Sequence, residues 1–240
     1  MDNTGYVALT RQVGLLREMQ LVANNIANAS TTGFRREGVL FAEVIAALPV
    51  EGGNLSMADA RVRYTDRAQG VLRETGNPLD MAIEGPGFFS VETPDGTALT
   101  RAGAFSLNAQ SELVTMDGLR VLDDGGAPIF IPPDAARVSV ATDGTISADN
   151  RPLARFGLVT PEDPAALNRR DGVLFVYDGP LLPVEAPSLR QGFVEGSNVS
   201  AVSEITRMIE VQRSYELGQK LLDQEHERIS GVTRTLGQRA

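Results

Sequence analysis

Cysteine is absent from this chain of 240 residues, and histidine occurs only once, at position 226. Without cysteine the chain has neither a disulfide framework nor a thiolate metal site. No arrangement of cysteine or histidine typical of catalysis is present either, which excludes most nucleophilic triads. The absence of cysteine is compatible with any redox compartment, so it limits the chemistry of the protein more than its location.

Long apolar runs and concentrated basic residues are missing as well. No run approaches the ~20 residues of a membrane-spanning helix, and the N-terminus lacks the basic segment, apolar stretch and cleavage site of a secretory signal. The formal net charge is -9 and the sequence pI is near 4.7, whereas phosphate binding needs clustered Lys and Arg. We therefore expect no membrane-spanning segment and no nucleic-acid partner.

Helical patterns occupy both ends of the chain, residues 1–34 and 198–240, and every proline lies between Pro49 and Pro187. The C-terminal pattern repeats every seven residues through Met208, Tyr215, Leu222, Ile229 and Leu236. Interleaved positions complete a three-four alternation: Ile205, Gln212, Gln219, His226 and Thr233. A seven-residue repeat keeps one narrow stripe facing a partner helix as the two supercoil. We therefore predict that the two ends pair, with His226 as a packing residue.

The first helix is predicted over residues 3–29, with Asn3 or Thr4 as its cap and Gly33 as a left-handed stop beyond its end. One face is apolar through Leu15, Met19, Val22, Ile26 and Ala29, and a second stripe consists of Leu9, Val13 and Leu16. Only four charges occur in the first 34 residues, and neutral asparagines can be buried when they are hydrogen-bonded. The helix is therefore either the core of a monomeric domain or surrounded by neighbouring subunits.

The second helix has ion pairs at helical spacing, such as Glu210/Arg213 and Glu216/Lys220, which predict an exposed outer face. Ser197 and Asn198 are predicted to cap its start. At ~1.5 Å per residue the helix would reach ~55–60 Å, a length that suits a fibre or a bundle.

The middle of the chain has the period of strands and the composition of turns. Residues 35–78 are predicted to be an extended connector, broken at residues 51–54. Asp-Gly, a strong hairpin signal, occurs at 95–96, 117–118, 124–125, 143–144, 171–172 and 178–179. Hairpins are predicted over residues 88–101 and 138–148. The predicted fold class is α+β: the N- and C-terminal helices pair as a coiled-coil-like domain, and an antiparallel all-β domain with its return segment is inserted over residues 79–197.

Candidate chemistry is scarce in this middle region. The glycines of Gly85-Pro86-Gly87 lack the GK[ST] and the following helix of a phosphate-binding loop. Most aspartates belong to Asp-Gly turns, where their side chains bind local backbone, so the turns account for them better than paired-carboxylate hydrolysis does. The sequence predicts no catalytic residue, no metal ligand and no cofactor.

Three segments resemble the signatures of one known family, in the same order. Residues 23–34 (ANNIANASTTGF), followed by Arg35 and Arg36, closely resemble the N-terminal signature of bacterial flagellar axial proteins, the rod and hook subunits. Residues 80–89 (DMAIEGPGFF), with 93–96, 100–103 and 112–115, are similar to the β domain of basal-body rod proteins. Residues 191–199 (QGFVEGSNV) and 208–216 (MIEVQRSYE) are similar to the C-terminal signature. The sequence therefore resembles the flagellar basal-body rod protein family over most of its length.

The resemblance implies a structural subunit whose paired terminal helices form the inner layer of a helical tube, with the β domain outside it. The opening residues and the modest length resemble the proximal-rod member, with a distal-rod or hook axial subunit as the alternative. The implied location is the basal body, in the rod that spans the periplasm. The implied partners are proximal and distal rod proteins and copies of the chain itself, with the flagellar type III export apparatus as a partner in transit.

Packing arguments and the resemblance together assign a set of subunit-packing residues. Gly33 is expected to permit the exit turn of the first helix, and Phe34 to anchor the departing chain against an apolar neighbour. The set consists of Leu15, Met19, Val22, Asn24, Asn25, Ile26, Asn28, Gly33, Phe34, Ser197, Asn198, Met208, Tyr215, Leu222 and Ile229.

Two other classes of protein were compared with this interpretation. A peptidoglycan-acting enzyme would need a carboxylate with a raised pKa in a cleft, and the sequence offers no isolated candidate. A monomeric binding module with a helical stalk would account for the hairpins, but not for the shortage of charge in the first helix.

Overall fold

The computed structural model describes residues 3–47 and 54–237. The chain divides into two compact units by its contacts. The first unit contains residues 1–27, 36–66 and 200–240, and the second contains residues 28–35 and 67–199. The chain therefore passes four times from one unit to the other.

The first unit is built from two long helices and a two-stranded ribbon. Helix α1 (Asn3–Ala27) and helix α2 (Ala201–Gly237) pack against each other, and α1 also contacts strands β1 (Glu37–Ala47) and β2 (Asn54–Thr65). The two strands pair antiparallel, with Glu37 opposite Thr65. The helices run antiparallel, because Asn25 bonds to Glu204 whereas Gln12 bonds to Tyr215.

The second unit is an antiparallel β structure, and every strand pairing recorded among its residues is antiparallel. Its strands are β3 (Leu72–Glu74), β4 (Met81–Ile83), β5 (Phe88–Thr93), β6 (Gly96–Thr100), β7 (Phe105–Leu107), β8 (Leu113–Thr115), β9 (Val138–Val140), β10 (Thr145–Ala148), β11 (Arg151–Arg155), β12 (Leu158–Pro161), β13 (Asn168–Asp171), β14 (Leu174–Val176), β15 (Leu181–Pro183), β16 (Leu189–Gln191) and β17 (Phe193–Glu195). A single 3-10 turn spans Pro164–Ala166.

The strands of this unit form one larger sheet, one smaller sheet and three separate pairs. The six-stranded sheet has the order β13-β14-β6-β5-β12-β15, and the three-stranded sheet has the order β11-β10-β9. The three pairs are β16-β4, β17-β3 and β7-β8.

Asp-Gly turns connect several neighbouring strands, as the sequence predicts. Asp95-Gly96 joins β5 to β6, and Asp143-Gly144 joins β9 to β10. Gly96 and Gly144 have φ values of +123° and +90°, which residues with a Cβ rarely adopt. The Asp143 carboxylate accepts hydrogen bonds from the N–H and hydroxyl of Thr145 at 3.0 and 2.9 Å. These hydrogen bonds, the one from the Thr145 N–H first, lower the pKa of Asp143.

The core of the second unit lies between its sheets. Three phenylalanines form its centre: Phe89 is 5.1 Å from Phe105 and 5.5 Å from Phe156 between ring centroids. Both of these pairs have the edge-to-face geometry that aromatic quadrupoles favour. Eleven further buried apolar side chains surround them, among them Met81, Ile83, Val91, Leu113, Val121, Ile129, Ile146 and Leu189. The α+β class and the antiparallel β structure are confirmed.

The boundaries of the two units differ from those of the predicted domains. Residues 28–34, predicted to belong with the helices, cluster with the β unit, as do residues 35 and 67–78 of the predicted connector. Residues 36–66 lie within the predicted connector, yet they contain the β1–β2 ribbon and cluster with the helices. The ribbon satisfies those backbone groups of each strand that face the other strand, which a single extended segment cannot do alone. Of the predicted break at 51–54, residues 51–53 lie outside the described part of the chain.

Candidate functional site: the terminal helices and their connections

Each terminal helix turns one face towards the other. On α1 the buried face contains Gln12, Leu15, Glu18, Val22 and Asn25. On α2, Glu204 and Val211 are both only 2% exposed. Between and beyond them lie half-buried residues at spacings of four and three: Met208, Tyr215, Gly218 and Leu222. The predicted seven-residue repeat of Met208, Tyr215 and Leu222 is therefore half-buried in the helix pair.

The interleaved half of the predicted stripe is corrected by the structure. Ile205 is 50% exposed, and Gln212, Gln219 and His226 are exposed as well. Their places are taken one residue earlier, by Glu204, Val211 and Gly218. Sequence patterns missed Glu204 and Gly218 because a buried carboxylate and a glycine carry no hydrophobic signal. Thr233, Leu236 and the side chain of Ile229 lie outside the residues whose side chains are described.

Asn25 connects three segments of the first unit and is fully buried. Its Nδ2 donates to the carbonyl oxygen of Glu37 at 2.7 Å and to Oε2 of Glu204 at 3.0 Å. Its Oδ1 accepts a hydrogen bond from the Glu37 N–H at 3.0 Å. The asparagine thus fixes the start of β1 and the first turn of α2 to the end of α1. Such an amide can be buried because its donor and acceptor groups are used.

The other carboxylate oxygen of Glu204 forms an ion pair with Arg36. The Nε of Arg36 donates to Oε1 of Glu204 at 2.5 Å. This hydrogen bond is the main reason that the pKa of Arg36 is raised. The carboxylate is therefore paired with a charge and bound by an amide, which is the condition under which a buried carboxylate is tolerated.

Two further contacts set the alignment of α1 with α2. Arg207 binds Glu18, with 2.5 Å between Nη2 and Oε1. Nearer the other end, the Nε2 of Gln12 donates to the backbone carbonyl of Tyr215 at 2.9 Å. Gln12 reaches this carbonyl across Gly218, where an added Cβ would overlap the amide nitrogen of Gln12. The glycine therefore provides the space in which the glutamine side chain lies.

In the second unit, a buried carboxylate holds together the segments near its boundaries. Glu195 is 1% exposed and binds Arg35 at 2.7 Å and Arg101 at 3.1 Å. Its Oε1 also accepts a hydrogen bond from the Gly70 N–H at 3.0 Å. Burial is the main reason that the pKa of Arg101 is lowered to about 10, so this guanidinium remains charged at neutral pH. Backbone carbonyls accept hydrogen bonds from both arginines, Gly85 from Arg101 and Ala68 from Arg35.

Phe34 is 1% exposed, and the contact recorded for its ring is with a cation. The guanidinium of Arg169 lies 4.5 Å from the Phe34 ring centroid and 4.8 Å from that of Phe175. Arg169 also donates to the carbonyl oxygen of Arg35 at 2.5 Å. The Phe34 ring therefore contacts a guanidinium that also contacts a second aromatic ring.

Two glycines allow backbones to approach closely in the same unit. Gly33 has a φ of +72°, as predicted, but lies six residues beyond the end of α1, and its added Cβ would overlap Ala102. An added Cβ at Gly70 would overlap the carbonyl oxygen of Gly196. The Gly33 N–H donates to the carbonyl oxygen of Glu195 at 2.8 Å. Larger residues at these positions would separate the segments that the Glu195 cluster holds.

The structure corrects the prediction that Ser197 and Asn198 cap α2, because Ser200 is the residue that caps the helix. The Ser200 hydroxyl accepts a hydrogen bond from the Ser203 N–H at 3.4 Å, and its carbonyl oxygen accepts one from the Glu204 N–H at 3.0 Å. Ser197 accepts from the Val199 N–H at 3.2 Å, and Asn198 donates to the Ala68 carbonyl at 2.9 Å. Both half-buried residues thus order the segment before the helix.

The remaining predicted packing residues differ in burial. Met19, Ile26 and Asn28 are half-buried, and Asn24 is exposed. The carboxamide oxygen of Asn28 accepts from the Thr31 hydroxyl at 3.1 Å, which stabilises the turns after α1. The predicted caps Asn3 and Thr4 have side chains outside the described set. For the whole set of predicted packing residues, contacts with other subunits stay a prediction.

Large apolar side chains remain exposed on both helices. On α1 they are Leu9, Val13 and Leu16, the second stripe found in the sequence. On α2 they are Val202, Ile205, Ile209, Leu217 and Leu221. Neither described helix combines enough length with enough apolar character to cross a membrane. Groups of exposed apolar side chains of this kind are typical of a protein–protein interface.

The β unit contains a cavity of about 270 Å³. Its polar lining includes Asp123 and Arg155, but the Asp123 carboxylate accepts from the N–H groups of Gly125 and Ala127 and belongs to a turn. Among the described residues, no group of three or more His, Cys, Asp or Glu side chains could hold a metal ion. The geometry therefore indicates the class of protein. Its specific features are packed helices, buried clusters of ion-paired side chains and helices with exposed apolar residues.

Comparisons with known proteins give the family. The chain matches three family models: a flagella basal body rod protein model over residues 6–35, the D1 domain of flagellar hook protein FlgE/F/G over 82–148, and the C-terminal domain of flagellar basal body rod FlgEFG proteins over 190–234. It is 40% identical to flagellar basal-body rod protein FlgF of Caulobacter vibrioides, with 99% of each chain covered. It is 36% identical to FlgF of Mesorhizobium japonicum over the full length of both, and 34% identical to rod protein FlgG of Agrobacterium fabrum, with 96% of this chain and 98% of the relative covered.

This chain belongs to the flagellar basal-body rod protein family, as the sequence motifs predicted. The family consists of structural rod proteins, not enzymes. The three matched segments coincide with α1 and its exit turns, the centre of the β unit, and the return segment with α2.

Proposed function

We propose that this chain is a structural subunit of the rod of the flagellar basal body, and that it polymerises through its two terminal helices to form a torque-transmitting shaft. The observation that carries the proposal is the exposed apolar surface of these helices, which remains after α1 and α2 have packed together. Eight large apolar residues contribute to it, with exposed fractions from 42% at Leu16 to 77% at Val202.

Burial of this surface supplies a driving force for assembly. Complete burial of one large aliphatic side chain is worth roughly 1.5–3 kcal/mol, so several of them together favour association strongly. Part of that gain offsets the entropy lost on association. Copies of the chain and other rod proteins with similar helices are the proposed partners.

The helix pair itself is proposed to be a short coiled-coil-like unit. Glu204, Met208, Val211, Tyr215, Gly218 and Leu222 alternate at spacings of four and three residues, which is the spacing that keeps a stripe on one side of supercoiled helices. The ion pair of Arg207 with Glu18 and the hydrogen bond of Gln12 with Tyr215 fix its alignment. A pair fixed in this way can join the wall of a rod as one body.

Placement in the proximal rod is the more specific part of the proposal. Two relatives named FlgF are 36% and 40% identical to the chain over nearly their whole lengths. A relative named FlgG, at 34%, supports a distal-rod position as the alternative. For either position we propose transit through the flagellar type III export apparatus and residence in the part of the basal body that spans the periplasm.

The predicted packing residues divide into two groups under this proposal. Leu15, Val22, Asn25 and Phe34 are buried within the chain, so they shape the subunit before it assembles, and any contact they make with neighbours adds to that role. The exposed apolar residues are the ones whose burial depends on neighbours. A test of polymerisation must therefore change exposed positions, since changes at Asn25 would damage the subunit itself.

The test replaces one exposed leucine on α2. Leu221→Lys is expected to leave the fold and the export of the chain unchanged, because this side chain is 47% exposed. It should abolish motility and retention of the chain in purified basal bodies, because an ammonium group would have to be desolvated in the interface.

Leu182→Lys, at an equally 47% exposed leucine in the β unit, is the matched control and should be retained. Retention of the Leu221→Lys chain at the level of the parent would contradict assembly through this helix.

A further inference from the structure

Helix α2 carries two separate apolar patches. The first patch consists of Val202, Ile205 and Ile209, and the second of Leu217 and Leu221. At ~100° per residue, the first patch is centred about 130° from the buried stripe of Glu204, Val211 and Leu222, and the second about 120° from it in the opposite sense. The patches therefore lie on two different flanks of the helix, about 110° apart, and neither faces α1.

The two patches also lie at different heights along the helix. Their centres are separated by about 14 residues, which corresponds to about 20 Å at ~1.5 Å per residue. A shift of about 20 Å between two parallel α2 helices therefore brings the second patch of one helix to the level of the first patch of the other.

We infer that the two patches are the two halves of one interface between copies of this chain. The first patch of one copy packs on the second patch of the next, with parallel α2 helices displaced by about 20 Å along their axes. This inference rests on the proposed function, that of a polymerising rod subunit. Its occupant is a second copy, because each patch offers the apolar surface that the other needs.

The presence of two different patches supports such a contact. An isologous interface uses one patch twice and closes at the dimer, whereas a head-to-tail assembly needs two different patches that complement each other. Placement on two different flanks leaves both patches free after α1 has packed on the third side of α2. A subunit with one patch engaged therefore still presents the other patch to the next copy.

The same displacement brings opposite charges on the two flanks to a similar level. Arg228 lies on the flank of the second patch, and Glu216 lies on the flank of the first. A shift of about 14 residues brings Arg228 of one helix to within about 3 Å of the level of Glu216 in the next. Opposite charges at the edge of an apolar contact favour one register over others.

Cysteine cross-linking tests this arrangement cleanly, because the chain has no cysteine of its own. Val202 and Leu217 are 15 positions apart and are 77% and 66% exposed, so replacing them should not disturb the helix pair. The double variant Val202→Cys/Leu217→Cys, in purified basal bodies treated with a short bis-maleimide, should give covalent dimers and larger multimers. Each single variant should give none, and a mixture of the two single variants should give dimers only.

The control is Gln212→Cys/Leu217→Cys, which pairs the second patch with an exposed residue at the wrong height. It should give no multimers. Self-cross-linking of either single variant would show an isologous contact and overturn the inference. Retention in basal bodies without multimers of the Val202/Leu217 double variant would also overturn it, while the rod function would stand. Absence of the unmodified chain from basal bodies would instead contradict the proposed function itself.

Discussion

Individual charged residues in the interior hold distant segments of this chain together. The Glu195 carboxylate binds Arg35, Arg101 and the Gly70 N–H. The Glu204 carboxylate binds Asn25 and Arg36. Arg35 and Arg36 are consecutive, yet Arg35 pairs with a carboxylate of the second unit and Arg36 with a carboxylate of the first. A buried charge adds little net stability when it is paired, but removal of one partner leaves the other charge uncompensated.

Glu195→Gln tests the first of these clusters. The change removes the counter-charge of two buried guanidinium groups and should lower the free energy of unfolding of the β unit by about 3–5 kcal/mol. Urea denaturation followed by near-UV circular dichroism measures it. Glu92→Gln is the control, because Glu92 pairs with Arg120 where both side chains are more than 40% exposed; such pairs contribute about 0–1 kcal/mol. Equal losses in the two variants would show that Glu195 is not specially important.

Two glycines of α2 provide a second test at this scale. Glycine-to-alanine changes in a helix interior usually stabilise it by about 0.8–1 kcal/mol. Gly231→Ala should show this gain, because nothing lies within 4 Å of an added Cβ. Gly218→Ala should show no gain or a loss, since the methyl group displaces the Gln12 amide from the Tyr215 carbonyl. Thermal melts of the helical signal measure both, and a full gain in Gly218→Ala would contradict the role assigned to Gln12.

The sequence revealed the elements more completely than the contacts between them. Period-two patterns and Asp-Gly dipeptides located the β5–β6 and β9–β10 hairpins, because those turns are specified by local residues. The seven-residue repeat located Met208, Tyr215 and Leu222, since apolar spacing is also a local property. Glu204 and Gly218 were missed because their burial depends on Asn25 and Gln12, which are more than 170 residues away in the chain.

The β1–β2 ribbon was missed for a similar reason. Its strands, Glu37–Ala47 and Asn54–Thr65, pair with each other and adjoin α1. Polar and apolar residues alternate over residues 59–65 of β2, but residues 38–47 of β1 are apolar apart from Glu43 and show no alternation. Asn25 supplies the contact that fixes where β1 begins, because its amide group binds both backbone groups of Glu37. A side chain that acts as a strand partner cannot be recognised from periodicity.

Asn25→Asp tests this connection between elements. The aspartate would present an oxygen to the Glu37 carbonyl and to the Glu204 carboxylate where the amide now donates. We expect the helix pair to lose about 3–5 kcal/mol, the range for a buried charge without a partner, as measured by the unfolding of α1 and α2. Asn24→Asp, at the adjacent exposed position, should change stability by less than about 0.5 kcal/mol. Similar behaviour of the two variants would exclude a special role for Asn25.

At the scale of the whole molecule, net charge opposes assembly while apolar surface favours it. Each copy carries a formal net charge of -9, so copies repel one another in solution at low ionic strength. The Debye length falls from ~30 Å at 0.01 M salt to ~8 Å at 0.15 M. Association driven by apolar patches should therefore strengthen when salt is added.

Sedimentation of the purified chain across this range of salt measures the effect. The weight-average mass should rise with ionic strength, and the Leu221→Lys chain should show a smaller rise because its patch is damaged. A mass that falls as salt is added would indicate that opposite charges, not apolar patches, dominate the contact between copies.

A density map of an intact basal body tests the central claim most directly. We predict that the chain fits density within the rod, with α1 and α2 packed against the helices of neighbouring subunits and with Leu217 and Leu221 inside that contact. The β unit is expected farther from the rod axis. A map in which the rod is complete without this chain, or in which both helices face solvent, would contradict the account.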